Sequence, residues 1–198
     1  MTSLRTNVEI LGRIDALPDD ERRKLLDDVD SELEELSRLV ADIVDLARDG
    51  EPEQLVEDIR LDLLVADAVD RSRRRAPEIR FEAQLDETVV RGSPERLHRA
   101  VTNLLDNAVK WSPAGAAVEV RVGDGAVTVR DHGPGIADED LPFVFDRFYR
   151  ASAARSLPGS GLGLAIVRQV AESHGGRATA EPADGGGTIV RLQVTATP

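Results

Sequence analysis

The sequence contains no cysteine, which excludes disulfides, thiolate metal sites and cysteine nucleophiles. That absence fits a reducing compartment. No apolar run reaches the roughly 18 residues that a helix needs to cross a bilayer. The opening Met1-Thr2-Ser3-Leu4-Arg5 lacks the pattern of a signal peptide. The stretch therefore reads as cytoplasmic, with no direct membrane contact of its own. Basic residues are in the minority: 25 Lys and Arg against 37 Asp and Glu give a net charge of -12. Nucleic-acid binding needs a basic face, so no nucleic-acid partner is expected. The run Arg71-Ser72-Arg73-Arg74-Arg75 reads as a solvated helix end. Aromatics are few, and most of them fall in one segment, Phe143 to Tyr149.

What is present falls into two parts. Residues 1–49 read as helix. A first run closes at Ile14, and Asp15 to Asp20, with Pro18, make a break that Asp19 or Asp20 can cap. The second run carries Leu26, Val29, Leu33, Leu36, Val40, Ile43 and Ala47. The steps alternate three and four, which is a heptad seam. Leu4, Val8 and Leu11 keep the same rhythm. Such a hairpin leaves its seam exposed, so two copies are expected to pair as a four-helix bundle. The alternative is that the seam packs on the rest of the same chain.

Residues 50–54, with Gly50 and Pro52, form a linker, and a second domain is expected over 55–198. Ile59 and Leu61 suggest a short strand, Leu63 to Ala76 a helix, and Ile79 to Leu85 a strand. Ser93-Pro94-Glu95 starts a helix running to about Trp111, with Ser93 as its cap. Val118–Val122 and Ala126–Arg130 pair as strands around Gly123-Asp124-Gly125. A loop-rich segment leads to an apolar helix over Leu162–His174. Arg177–Ala180 and Thr188–Val194 close the sheet across Gly185-Gly186-Gly187. The fold class is α+β: a helical hairpin followed by a two-layer sandwich with helices on one face of a mixed sheet.

Three motifs in the second domain carry chemistry. In Asn103-Leu104-Leu105-Asp106-Asn107-Ala108-Val109-Lys110-Trp111, the residues Asn103, Asn107 and Lys110 share one helix face. Two amide oxygens and an ammonium suit Mg²⁺ and phosphate, although a plain polar helix surface has the same spacing. In Asp131-His132-Gly133-Pro134-Gly135-Ile136, directly after a strand, the carboxylate can accept from an exocyclic amine such as adenine's. Gly159-Ser160-Gly161-Leu162-Gly163-Leu164 opens a helix, where unpaired backbone N–H groups suit phosphate. It is neither a dinucleotide fingerprint nor a Walker A loop. Between the last two lies Phe143-Val144-Phe145-Asp146-Arg147-Phe148-Tyr149-Arg150. Aromatics beside a glycine- and serine-containing stretch suggest a lid, with Arg147 and Arg150 in reach of phosphates. Solvated arginines around a packed aromatic cluster are the plainer description.

The order and spacing of these motifs resemble the N, G1, F, G2 and G3 boxes of the sensor histidine kinase catalytic domain. Gyrase, Hsp90 and MutL ATPases share some of them. The resemblance covers roughly residues 55–195. It implies a Bergerat-type ATP pocket in which Asn103 and Asn107 serve Mg²⁺ and phosphate, and Lys110 phosphate. It implies that Asp131 reads the adenine amino group, that Gly133, Gly135 and Ile136 shape its pocket, and that Gly159, Ser160, Gly161, Leu162 and Gly163 border the triphosphate. Gly185-Gly186-Gly187-Thr188 matches the last box, and Trp111 stands where the family often has another ring. Hydrolysing members carry a glutamate base at the position of Asn103. An amide cannot take that proton, so transfer to a side chain is expected over hydrolysis.

The resemblance also implies a phosphoacceptor His-Glu-x-x-Thr-Pro box, absent from this sequence. His98, His132 and His174 lie outside any such box and read as structural. Thr2-Ser3-Leu4-Arg5 is similar to the residues just after the box, so the acceptor is expected about six residues before Met1 by the family's spacing. The chain alone is then expected not to phosphorylate itself. The implied partners are a second copy, through residues 1–49, and a response regulator receiver domain. The implied parent is an inner-membrane sensor. Two other readings are a dimeric ATP-binding module without transfer, and an anti-sigma-type serine kinase. The heptad hairpin argues against the latter.

Overall fold

The computed structural model describes residues 56–151 and 159–195, together with Pro18, Glu21–Arg23, Leu26 and Val29. The chain divides into two compact units, Met1–Gly50 and Glu51–Pro198. In the first, Glu21–Arg23, Leu26 and Val29 are helical, and Leu26 of the expected seam is exposed. The remainder of the hairpin lies outside the described residues.

In the second unit, β1 (Glu57–Arg60) leads directly into α1 (Leu61–Arg75). Then come β2 (Arg80–Leu85), β3 (Val89–Gly92) and α2 (Pro94–Trp111). After these lie β4 (Ala117–Gly123), β5 (Ala126–Arg130), α3 (Gly163–Ser173), β6 (Arg177–Pro182) and β7 (Thr188–Gln193). The main sheet has the order β2-β4-β5-β7-β6. Its β2–β4 pair is parallel and the others antiparallel. β1 and β3 form a separate antiparallel ribbon.

Alternation sets the two faces of the sheet. Val118, Val120 and Val122 of β4, Val127 and Val129 of β5, and Val190 and Leu192 of β7 point into the core. Arg121 and Arg191 point out of it. α1 covers β2 and β4, α2 lies against β5, and α3 against β6 and β7. The buried stripe of α2, Leu97, Ala100, Val101, Leu104, Leu105 and Ala108, recurs at three- and four-residue steps. Each fully buried leucine there contributes about 1.5–3 kcal/mol. That stripe fixes the rotation of the helix, and with it the opposite, polar face.

Local chemistry explains the boundaries. Ser93 accepts from the Arg96 N–H, and Pro94 occupies the first turn of α2. Asp124 and Gly125 both have positive φ, 52° and 71°, the geometry of a two-residue hairpin turn between β4 and β5. The basic run is the solvated last turn of α1: Arg73 pairs with Asp70 and Arg75 with Asp106.

Two expectations need correction. Leu61 opens α1 and does not belong to a strand. Its neighbour Asp62 takes both nitrogens of an Arg60 fork, at 2.9 and 2.7 Å, and the Thr88 N–H at 3.3 Å. The Arg60 guanidinium holds that carboxyl at about 2, and the helix begins where this clamp forms. β3 was not expected. It exists because β1 supplies a non-local partner for four residues that carry little signal alone.

Candidate nucleotide-binding site

The site is built where the polar face of α2 meets the loop after β5 and the N-terminal end of α3. Asp131 follows the last residue of β5 and is 3% exposed. Its Oδ1 accepts from the Gly133 N–H at 2.9 Å and the Thr188 N–H at 3.2 Å. Its main-chain N–H donates to Thr188 O. Oδ2 has no partner among the described residues. Burial pushes the Asp131 carboxyl up from the ordinary carboxylate value, and the two backbone donors oppose that rise. The result is a fixed, half-satisfied acceptor, which is what a ligand N–H donor requires.

Glycines mark the close approaches. Gly187, at φ +87°, lies against Asp131 so closely that a Cβ would overlap the Asp131 carbonyl oxygen. A Cβ on Gly133 would stand 2.6 Å from the Trp111 carbonyl oxygen, and one on Gly135 3.3 Å from Gly187 O. The Asp131 loop is thereby wedged between the end of α2 and the strand that opens at Thr188.

The same measure joins the other two motifs. A Cβ on Gly163 would stand 3.3 Å from Asn103 Oδ1, and one on Gly159 3.0 Å from Lys110 Nζ. Asn103 and Lys110, two turns apart on α2, thus line the glycine segment that enters α3. Lys110 also lies over the Trp111 ring, 5.3 Å from its centroid, a cation–π contact. Asn103 and Asn107 are half-buried. Within the segment, Ser160 Oγ accepts from the Leu162 N–H at 3.2 Å. The Leu162 side chain is fully buried and anchors the segment to the core.

The aromatic segment is held at its base. Tyr149 OH donates to Asp140 Oδ1. Phe143 and Tyr149 stack at 5.6 Å, and the Phe148 N–H donates to Gly161 O at 3.0 Å. Arg168 of α3 pairs with Asp146 at 3.2 Å. Arg147 is exposed and Arg150 half-buried, while Ile136 is half-buried beside the Asp131 loop. Sequence reading missed Asp140, Asp146 and Arg168, because each acts through a contact that no short motif encodes.

The arrangement fits a nucleotide. One end offers the second carboxylate oxygen of buried Asp131 for an exocyclic amine. The other offers a lysine, two amides and a glycine-rich helix start for phosphates. Among the described residues no group of three or more His, Asp or Glu could hold a metal by itself. The amide oxygens of Asn103 and Asn107 suit a Mg²⁺ that takes most of its ligands from phosphate and water.

Residues 92–198 match the family described as histidine kinase-, DNA gyrase B- and HSP90-like ATPases. The chain belongs to that family. Within the family it is 45% identical over 186 residues to the signal transduction histidine-protein kinase/phosphatase MprB of Mycobacterium leprae, covering 89% of this chain and 36% of that protein. The chain spans about two fifths of the length of such relatives, 36 to 41%. Among solved structures, a mycobacterial sensor histidine kinase MprB superposes with a TM-score of 0.66 at 40% identity, over 72% of this chain and 99% of that one. The ATP-binding domain of PrrB from Mycobacterium tuberculosis gives 0.58 at 25% identity, over 72% and 98%. The two-layer ATP-binding fold is thus the fold of this ATPase family. Among the described residues no helix is long and apolar enough to cross a membrane.

Proposed function

We propose that this chain is the ATP-binding catalytic portion of a sensor histidine kinase. Asp131 carries the reading: one carboxylate oxygen is fixed by two backbone donors, and the other is left for the adenine amine. Lys110, beside Gly159, neutralises phosphate charge, and Arg147 and Arg150 approach the phosphates from the lid segment. Asn103 and Asn107 would hold Mg²⁺, which would offset the charge that develops on the transferring phosphoryl group. In the reaction the γ-phosphorus bond to the bridging oxygen breaks, a bond to an imidazole nitrogen forms, and ADP leaves. Asn103 lacks a basic oxygen, so no side chain there draws a proton from water.

The acceptor is a histidine outside these residues, since none of His98, His132 and His174 lies in a His-Glu-x-x-Thr-Pro box. His132 meets Glu119 at 3.1 Å, and His98 lies 3.7 Å from Asp67. Residues 1–49 form the dimerisation hairpin, on which a response regulator receiver domain docks to take the phosphoryl group onto an aspartate. The parent is a membrane-anchored sensor whose kinase portion lies in the cytoplasm. Support comes from the names of the MprB relatives and from the fit of the site.

The test mixes this chain with γ-labelled ATP and a separate protein carrying a histidine box. Acid-labile label on histidine is expected. Label on serine would overturn the reading in favour of a serine kinase, and tight ATP binding without transfer would reduce the chain to a binding module.

A further inference from the structure

His174 stands at the C-terminal end of α3, half-buried, and both ring nitrogens are engaged. Nδ1 lies 2.7 Å from Val170 O, and Nε2 lies 3.1 Å from the Ser93 backbone nitrogen. A carbonyl can only accept and a backbone N–H can only donate. Nδ1 therefore carries the hydrogen, and Nε2 is bare. The ring occupies space left by Gly92, where a Cβ would overlap it. Ser93 is the cap of α2, so the ring joins the last turn of one helix to the first turn of the other. The other end of α3 begins at Gly163, facing Asn103 of α2.

We propose that His174 is a positioning residue: as a neutral ring it ties the end of α3 to the cap of α2, and so sets how Asn103 and the glycine segment face each other across the nucleotide site. The tie itself stands on geometry; its effect on nucleotide rests on the function proposed above. A second proton on the ring would set an N–H against the Ser93 N–H and break the tie. The ring's neighbours from β3, the α2 cap and α3 are Gly92, Ser93, Val170 and Ser173, none of which titrates in this range. On α2, Arg96 is the charged group that bears on the ring. Burial first, and Arg96 in the same direction, hold the ring below its ordinary 6.5, against the Val170 hydrogen bond. With the folded value lowered, the unfolded chain takes up the proton first. The stability the tie contributes is fully present above about pH 6.5, and the tie is lost as pH falls through the lowered folded value.

The experiment measures Mg²⁺–ADP affinity of the full chain from about pH 8 downward, through the pH at which imidazole ¹⁵N spectra show the folded ring taking up its proton, for wild type, His174→Gln and His174→Ala. Glutamine can accept from Ser93 N–H but does not titrate. At the higher pH it should bind within about twofold of wild type, and alanine about fivefold more weakly, the loss of one hydrogen bond. On acidification wild type should weaken about fivefold more than His174→Gln. The difference between the two cancels the titration of Asp131 and of the nucleotide. Parallel pH profiles would overturn the proposal. Imidazole ¹⁵N spectra of wild type near neutral pH check the tie without nucleotide: a bare Nε2 is expected, and a protonated one overturns it. If wild type binds no ADP at about pH 8, the nucleotide reading fails instead. The ring spectrum and the pH dependence of thermal unfolding, wild type against His174→Gln, then still decide the tie.

Discussion

Asn103 Oδ1 faces Gly163 across the seam between α2 and α3, 3.3 Å from the place where a Cβ on that glycine would stand. The contact joins the start of one helix to the polar face of another, and both elements belong to the site. Gly163→Ala should leave the fold intact, since alanine favours a helix by about 0.5–1 kcal/mol over glycine. It should press on the Asn103 amide, and ATP affinity should fall about fivefold. Calorimetry with Mg²⁺–ATP and a thermal melt on the same sample check both halves.

Gly187 answers to a different constraint. Its φ is +87° and its Cα faces the Asp131 carbonyl, which a Cβ would overlap. Gly187→Ala should cost about 2–3 kcal/mol of stability, from backbone strain together with the displaced loop. Chemical denaturation would report it as a lower midpoint. A melt unchanged from wild type would mean that the Asp131 loop is not held by this strand.

Much of this was legible in the sequence where the determinants are local. Ser93-Pro94 announces α2, Asp124-Gly125 announces a hairpin, and the spacing of Asn103, Asn107 and Lys110 announces a shared face. The structure brings Asn103 to Gly163 and Lys110 to Gly159, so separate motifs converge as their order implied. What escaped depends on partners distant in sequence. β3 is four residues long and needs β1. Tyr149–Asp140 and Ser93–His174 join segments that no window spans. Leu61 looked like a strand residue because apolar spacing over two positions fits strand and helix alike.

The amide at Asn103 makes a kinetic prediction. With no carboxylate there to take a proton from water, the isolated chain should hydrolyse ATP far more slowly than about one turnover per second, the low end of ordinary enzymes. A coupled ADP-release assay measures this. Turnover near one per second would assign a base to some other residue of the site.

The proposed nucleotide recognition rests most heavily on Asp131, whose pH behaviour has two opposite signs. The folded carboxyl is raised above 3.8, chiefly by burial. Without nucleotide, the charged group therefore opposes folding at neutral pH, and that opposition is relieved as pH falls through the raised value. Nucleotide affinity runs the other way, because a protonated oxygen presents a donor to the adenine amine. The most direct test is Mg²⁺–ATP titration of wild type and Asp131→Asn at neutral pH, followed by fluorescence of Trp111, the single tryptophan. The substituted amide would keep an oxygen for Gly133 and Thr188 while turning an N–H₂ toward the ligand. The predicted result is unchanged or higher thermal stability, with affinity lower by about 100-fold, near the cost of an unmet buried hydrogen bond. Equal affinity in the two proteins would contradict the pocket.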